Sequence, residues 1–302
     1  DKVRMATKRY QAIWDRICRG ERILLDGATG TECERRGVPQ VVNTWNSGAA
    51  LSHPEIVRAI HEEYIESGAE IIITNTFSSS RHCLRSAGIE DQFEALTNAA
   101  VRLANEARGA SGQSGLLVAG GITHWIWTKD LPSIKELETN TRDQAVQMAS
   151  GGCDLIILEK QRPIDRLLAC VDGAKASGLP VWAGVSTKPI DGRMCLLGGE
   201  PLEDALTALK EKDVPLVSIM HTEVDHINPC LEILKTYWQG AVGIYAHVCQ
   251  FSEDNTTAIF DDMISPSDYA RASKRWMDQG VQLIGGCCGV RKEHICELRQ
   301  VV

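Results

Sequence analysis

Short runs rich in Ile, Val and Leu recur along the whole chain, and each is followed by a longer stretch in which apolar residues return every three to four positions. That alternation predicts β-strands followed by amphipathic helices, the pattern of a parallel sheet. The runs are ILLD (23–26), EIIIT (70–74), GLLVAG (115–120), DLIILE (154–159), PVWAGVS (180–186), PLVSIM (215–220), AVGIYA (241–246) and VQLIGG (281–286). Eight strand–helix units close a barrel, so the expected fold is α/β, a (β/α)8 TIM barrel. No Pro-, Gly- or Ser-rich linker divides the chain, and residues 1–302 are read as one barrel domain. The rival is an open doubly wound sheet, whose mark is a G-x-G-x-x-G turn after the first strand; Gly27 and Gly30 do not fit that spacing.

Start and stop signals bound the helices. Ser52, Pro54 and Glu55 read as a helix cap with proline in the first turn, and Ser265, Pro266 and Asp268 repeat the device. Gly68 and Gly280 stand where a helix must stop and turn back. Residues 27–52 read as a long active-site loop rather than a helix. Residues 1–21 precede the first strand and either pack beneath the barrel or mediate assembly.

Composition narrows the partners. A formal net charge of −8 gives no basic surface for nucleic acid, and no apolar stretch is long enough to cross a membrane. The opening residues lack a signal-peptide core. Eleven scattered cysteines do not make a disulfide framework and fit a reducing compartment, so the expected location is cytoplasmic. Cys18, Cys83, Cys153 and Cys170 read as packing residues. The expected partners are small molecules, with a homo-oligomer left open.

Chemistry in such barrels gathers where strands end. Asp26 and Gly27 end the first strand, Asn75, Thr76 and Phe77 the second, Glu159 the fourth, and Ser186 and Lys188 the fifth. His221, Glu223 and Asp225 follow the sixth, His247 and Cys249 the seventh, and Cys287 and Cys288 the eighth. The most specific signal is GGCCG (285–289): adjacent thiols flanked by glycines can turn toward one metal, and zinc suits such soft ligands.

LLDGATGTECERRG (24–37), HPEIVRAIHEEYIESGAEIIITNTF (53–77), CDLIILEK (153–160) and LIGGCCG (283–289) together resemble the homocysteine S-methyltransferases, from about Arg22 onward. The resemblance implies a methyltransferase of methionine biosynthesis that moves a methyl group from a sulfonium or quaternary ammonium donor to the thiol of homocysteine or a related thiol, with zinc activating the thiol. It assigns zinc to Cys287 and Cys288, and the acceptor's amino group to Asp26 and Glu159 as catalytic carboxylates. By motif it places Gly27 and Thr76 at the substrate and Trp45 at the donor. Trp125 and Trp127 fall in the third strand's loop, where indole faces can hold a methylated cation.

The resemblance breaks after the sixth strand. The family's first zinc cysteine is absent from SIMHTEVDHINPC (218–230). Counting from the strand makes Glu223 the expected third ligand, with His221, His226, His247 and Cys249 as alternatives. Lys160 replaces an aromatic of betaine users and, if it points inward, disfavours betaine. The alternatives are a divergent barrel enzyme acting on another methylated compound without the three-cysteine site, using His221, His247 or Glu223 as acid or base, and a non-catalytic ligand-binding descendant.

Overall fold

The structure is a computed structural model that describes residues 2–252 and 258–302. Eight parallel strands form one sheet: β1 (Ile23–Leu24), β2 (Ile71–Ile73), β3 (Leu117–Ile122), β4 (Leu155–Gln161), β5 (Val181–Val185), β6 (Leu216–Glu223), β7 (Ala241–His247) and β8 (Leu283–Ile284). Their order is β1-β8-β7-β6-β5-β4-β3-β2. A parallel bridge from Leu25 to Ile71 closes the ring, as the Asp26 N–H donates to the Ile71 carbonyl at 3.0 Å. The fold is thus the expected (β/α)8 barrel.

The strands are buried on both faces, which is why they read as unbroken apolar runs. Outward residues such as Leu24, Ile72, Val118 and Ile156 join one core with the surrounding helices, including Pro54–Glu66, Phe93–Ser111 and Ile134–Gly151. Inward residues such as Ile23, Leu25, Ile71, Leu117, Trp182 and Leu283 form a second core.

That inner core is completed from below by the helix Lys2–Cys18, whose Tyr10, Ile13 and Ile17 bury against it. The first segment therefore packs beneath the barrel. The buried Trp182 indole N–H donates to the Tyr10 hydroxyl at 3.1 Å. Beside it, Arg9 and Arg108 meet the fully buried Asp154 at 2.8 and 2.6 Å, and Asp154 also accepts from the Val118 N–H at 2.8 Å.

Several local expectations change. Residues 27–52 contain two short helices, Gly30–Arg35 and Ala49–Ser52, so this segment is not purely a loop. Ser52 does not cap the helix Pro54–Glu66, whose N-cap is His53; its hydroxyl bonds instead to the Gly48 carbonyl and the His53 ring. Ser265 does cap, accepting from the Asp268 N–H, and Gly68 and Gly280 turn with φ of 113° and 103°. Cys18 is exposed, unlike the buried Cys83, Cys153 and Cys170. Two antiparallel hairpins, Thr187–Ile190 with Arg193–Leu196 and Gln250–Phe251 with Ala258–Ile259, extend the loops after β5 and β7. Among the described residues, no helix is long and apolar enough to cross a membrane.

Candidate active site

A cavity of about 370 Å³ opens at the carboxyl ends of the strands. Its walls include Asp26, Gly27, Trp45, Glu159, Cys287 and Cys288, so the ends of β1, β4 and β8 converge on one mouth.

Asp26 is buried at the end of β1 and accepts the Ile73 N–H through Oδ2 at 2.8 Å, tying the closing seam of the barrel. Burial holds its carboxyl well above the usual range, and the Glu159 charge adds to the shift. The Glu159 carboxyl is pushed up to about 7 by burial, with the Tyr245 hydroxyl acting in the opposite sense. Two carboxyls that share a dry pocket resist ionising together and favour a cationic guest. Gly121 makes room for them: a Cβ there would lie 2.8 Å from Glu159 Oε1. At Gly27 a Cβ would meet the Tyr64 ring at 2.8 Å, and the Tyr64 hydroxyl pins the first loop by donating to the Ala28 carbonyl at 2.6 Å.

At the end of β8, the strand next to β1, Cys287 and Cys288 place their sulfurs 3.9 Å apart. His221 Nδ1 lies 3.8 Å from one and 3.9 Å from the other. Among the described residues this trio is the one group of metal-competent side chains close enough to share an ion. The Cys287 thiol is held well above its ordinary range by its sulfur neighbour and by burial, which a shared cation would reverse.

Glu223, the expected third ligand, is not brought to the sulfurs. Its side chain is 61% exposed, 3.8 Å from His226, which also lies outside the trio. The reason lies in the backbone. β6 runs on past Met220 to Glu223, but its register with β7 breaks between those two residues, and His221 takes φ of 45°. Met220 and His221 therefore both line the cavity, although neighbours on a regular strand point to opposite faces. The His247 ring packs edge-on against His221 at 5.2 Å, and neither it nor the buried Cys249 lines the cavity.

Thr76 is likewise placed below the mouth rather than in it. Its hydroxyl donates to the Gly121 carbonyl at 2.6 Å and meets the Thr74 hydroxyl, which binds the ends of β2 and β3 together. Its neighbours Asn75 and Phe77 line the cavity in its stead, and Asn75 Nδ2 is buried without a partner among the described residues. Tyr245, an interior strand residue that reads as core, also reaches the cavity.

The aromatic wall is built from Trp45, Phe77, Trp125 and Trp127. Trp45 has φ of 51° and donates through Nε1 to Glu34 at 3.2 Å. Its ring lies over Gly30, where any Cβ would collide with it. Trp127 meets Trp125 and Phe77 edge-on, at 6.1 and 6.3 Å. Lys160 Nζ lies 3.6 Å and the Arg162 guanidinium carbon 4.2 Å from the Trp125 ring centre, and burial pulls the Lys160 amine down to about 7.

Two carboxyls and a cluster of two thiols and an imidazole lining one cavity, at the strand-end mouth of a (β/α)8 barrel, mark a candidate small-molecule active site. Residues 23–302 match the profile of the homocysteine S-methyltransferase family. The chain belongs to that family. It is 24% identical to a homocysteine S-methyltransferase of Bacillus subtilis, over 91% of this chain and 93% of the relative. It is 27% identical to the S-methylmethionine–homocysteine S-methyltransferase of Pongo abelii, over 94% and 79%. The metallated homocysteine methyltransferase MmuM of Escherichia coli shares its fold, with a TM-score of 0.79, 24% identity and coverage of 97% and 99%.

Proposed function

We propose that the chain, acting as one barrel domain, transfers a methyl group from an onium donor to the thiol of homocysteine, with Cys287, Cys288 and His221 as the protein ligands of a zinc ion. The observation that carries this reading is the triangle of two sulfurs and one imidazole nitrogen lining the same cavity as Asp26 and Glu159.

The donor set fits zinc. Tetrahedral zinc with bonds of about 2.3 Å to sulfur and 2.0 Å to nitrogen separates its ligand atoms by about 3.5 to 3.8 Å, and the three edges here measure 3.8, 3.9 and 3.9 Å. Three protein ligands leave a fourth position open to substrate. A zinc ion in this place supplies one thing, a lowered pKa for an acceptor thiol bound there, so that a thiolate exists at neutral pH.

The chain's own residues do the rest. Asp26 and Glu159 take the acceptor's α-ammonium, which relieves the strain of two buried carboxyls and fixes the amino acid with its sulfur toward the cysteines. Trp45, Phe77 and Trp127 exclude water and offer ring faces to the methylated cation. The acceptor sulfur forms a bond to the methyl carbon while the electron pair of the breaking bond stays with the donor. Opposite charges cancel in that step, so the low polarity of the wall favours it. Free thiols at every cysteine support a cytoplasmic location.

The test is metal analysis of protein purified without chelator, combined with mass spectrometry of homocysteine incubated with S-methylmethionine. One zinc per chain and formation of methionine are expected, both lost in Cys287→Ala. Methyl transfer by fully metal-free protein overturns the zinc reading, and failure with every onium donor overturns the reaction.

A further inference from the structure

Two strand ends must keep a fixed spacing for an acceptor to be held at both of its ends: β1, which leads into Asp26, and β8, which leads into the cysteine pair. A molecule fixed at its ammonium by the first and at its sulfur by the second is oriented only while that spacing holds. The backbone joins the two ends directly. The Gly286 N–H donates to the Asp26 carbonyl at 3.0 Å, and the Ala28 N–H to the Val290 carbonyl at 3.2 Å.

A side chain from outside the barrel reinforces this seam. Tyr64 lies on the helix Pro54–Glu66, whose other buried residues include Val57 and Ile60, plain members of the outer core. The fully buried Tyr64 instead carries a hydroxyl to the strand ends, 2.6 Å from the Ala28 carbonyl oxygen and 3.0 Å from that of Val290. A phenol has one proton to give, and here two acceptors converge on it. One donor therefore bridges the segment that follows Asp26 and the segment that follows Cys287 and Cys288. Burial holds the phenol well above the ordinary tyrosine range, so the hydroxyl stays a donor at any neutral pH.

The cysteine turn is held from other sides as well. The Val290 N–H returns to the Cys287 carbonyl at 3.1 Å, and the Gly289 N–H donates to Thr31 Oγ1 of the first loop, also at 3.1 Å. On the far flank Tyr269, from the helix Pro266–Met277, donates to the Gly285 carbonyl at 2.6 Å and lies 3.4 Å from the Ala246 carbonyl. Tyr269 thus ties β8 to β7, and Tyr64 ties it to β1. Neither phenol lines the cavity.

We infer that Tyr64 is a positioning residue: through its bridging hydroxyl it sets the distance between Asp26 and the Cys287–Cys288 turn, so that one acceptor molecule reaches both. This rests on the methyl-transfer reading above. Tyr64 acts through the Ala28 and Val290 carbonyls and touches no reacting atom.

The experiment deletes the hydroxyl alone in Tyr64→Phe. Its control is Tyr10→Phe, which deletes a buried phenol oxygen beneath the barrel, where it accepts from Trp182. Both variants and the parent are assayed with homocysteine and S-methylmethionine at saturating zinc, after thermal melting has shown that they fold. A shift of about 1 Å between the two strand ends lowers kcat/KM for homocysteine by about 10- to 100-fold in Tyr64→Phe. KM for S-methylmethionine stays in place, and excess zinc does not repair the loss. Calorimetry of homocysteine on the zinc-loaded protein reads the same defect as a weaker Kd without turnover. Tyr10→Phe matches the parent in both readouts, whatever it loses in melting temperature. Thr31→Val, which cuts a second side-chain link between the same segments, is expected to show the Tyr64→Phe pattern and takes its place if that variant does not fold. A homocysteine kcat/KM and Kd as in Tyr10→Phe, or a loss that falls equally on both substrates, overturns the inference. Should the parent transfer no methyl group while its homocysteine Kd still depends on Tyr64, the methyl-transfer reading fails and the positioning role stands; a parent that does not bind homocysteine overturns both.

Discussion

Replacing His221 is the sharpest test of the metal site, because the structure sets both direction and size. In His221→Ala one corner of the triangle vanishes, and among the described residues none substitutes for it: Glu223 is turned toward solvent, and His247 and Cys249 lie off the cavity. Structural zinc sites bind with about 10 to 16 kcal/mol over four ligands, so one ligand contributes about 2.5 to 4 kcal/mol. That loss weakens zinc roughly 100- to 1000-fold in Kd. His221→Cys restores a soft donor on a shorter arm and should bind zinc more tightly than His221→Ala. Glu223→Ala should leave affinity as it was. Competition against a chromophoric chelator gives the affinities, and the thiolate-to-metal bands of the cobalt form report whether both cysteines remain ligands. An His221→Ala protein that is folded by circular dichroism and holds zinc as tightly as the parent refutes the assignment.

Three further outcomes are expected from the geometry. With the Glu159 carboxyl at about 7, the group gains a proton and loses its charge as pH falls through that value, so kcat/KM for homocysteine should drop below neutrality. A profile flat from pH 6 to 8, or unaltered in Glu159→Gln, counts against its role. Gly121→Ala would press a Cβ to 2.8 Å from Glu159 Oε1 and should raise KM for homocysteine more than KM for the donor; equal effects on both would point to general damage. Asp154→Ala would leave Arg9 and Arg108 without their shared buried partner, at a cost of about 3 to 5 kcal/mol. Chemical denaturation measures that loss, and a loss below 1 kcal/mol contradicts it.

Much of the scaffold is legible in the chain because each strand is buried on both faces and must be a continuous apolar run. The ends of those runs locate Asp26, Glu159 and the cysteine pair, since a polar residue closing such a run has only the mouth of the barrel to occupy. The two hairpins escape this reading: their strands are only two to four residues long, and Thr187–Ile190 and Gln250–Phe251 are partly exposed. Thr76 escapes for another reason. Its position at a strand corner is plain, but the Gly121 carbonyl that captures its hydroxyl comes from a neighbouring strand 45 residues away.

The third member of the candidate metal cluster, His221, shows what period-two counting cannot supply. Alternation from the inward Met220 would turn both His221 and Glu223 away from the cavity, so a count along a regular strand gives no reason to prefer His221. A break in register at that point adds one residue to the strand and reverses the parity of the residues beyond it. The same break recurs on β4, where it brings Lys160 in behind Glu159. In each case a pair of consecutive residues, Met220 with His221 and Glu159 with Lys160, reaches a cavity that a regular strand would serve with one. The backbone strain of about 1 to 3 kcal/mol per left-handed residue is supported by the packed strands on either side. It gives the mouth two additional polar side chains without lengthening a loop. Side chains anchored in this way on a rigid barrel hold their positions more closely than loop residues do, which is what joining a sulfur, a methyl carbon and a leaving group in line requires.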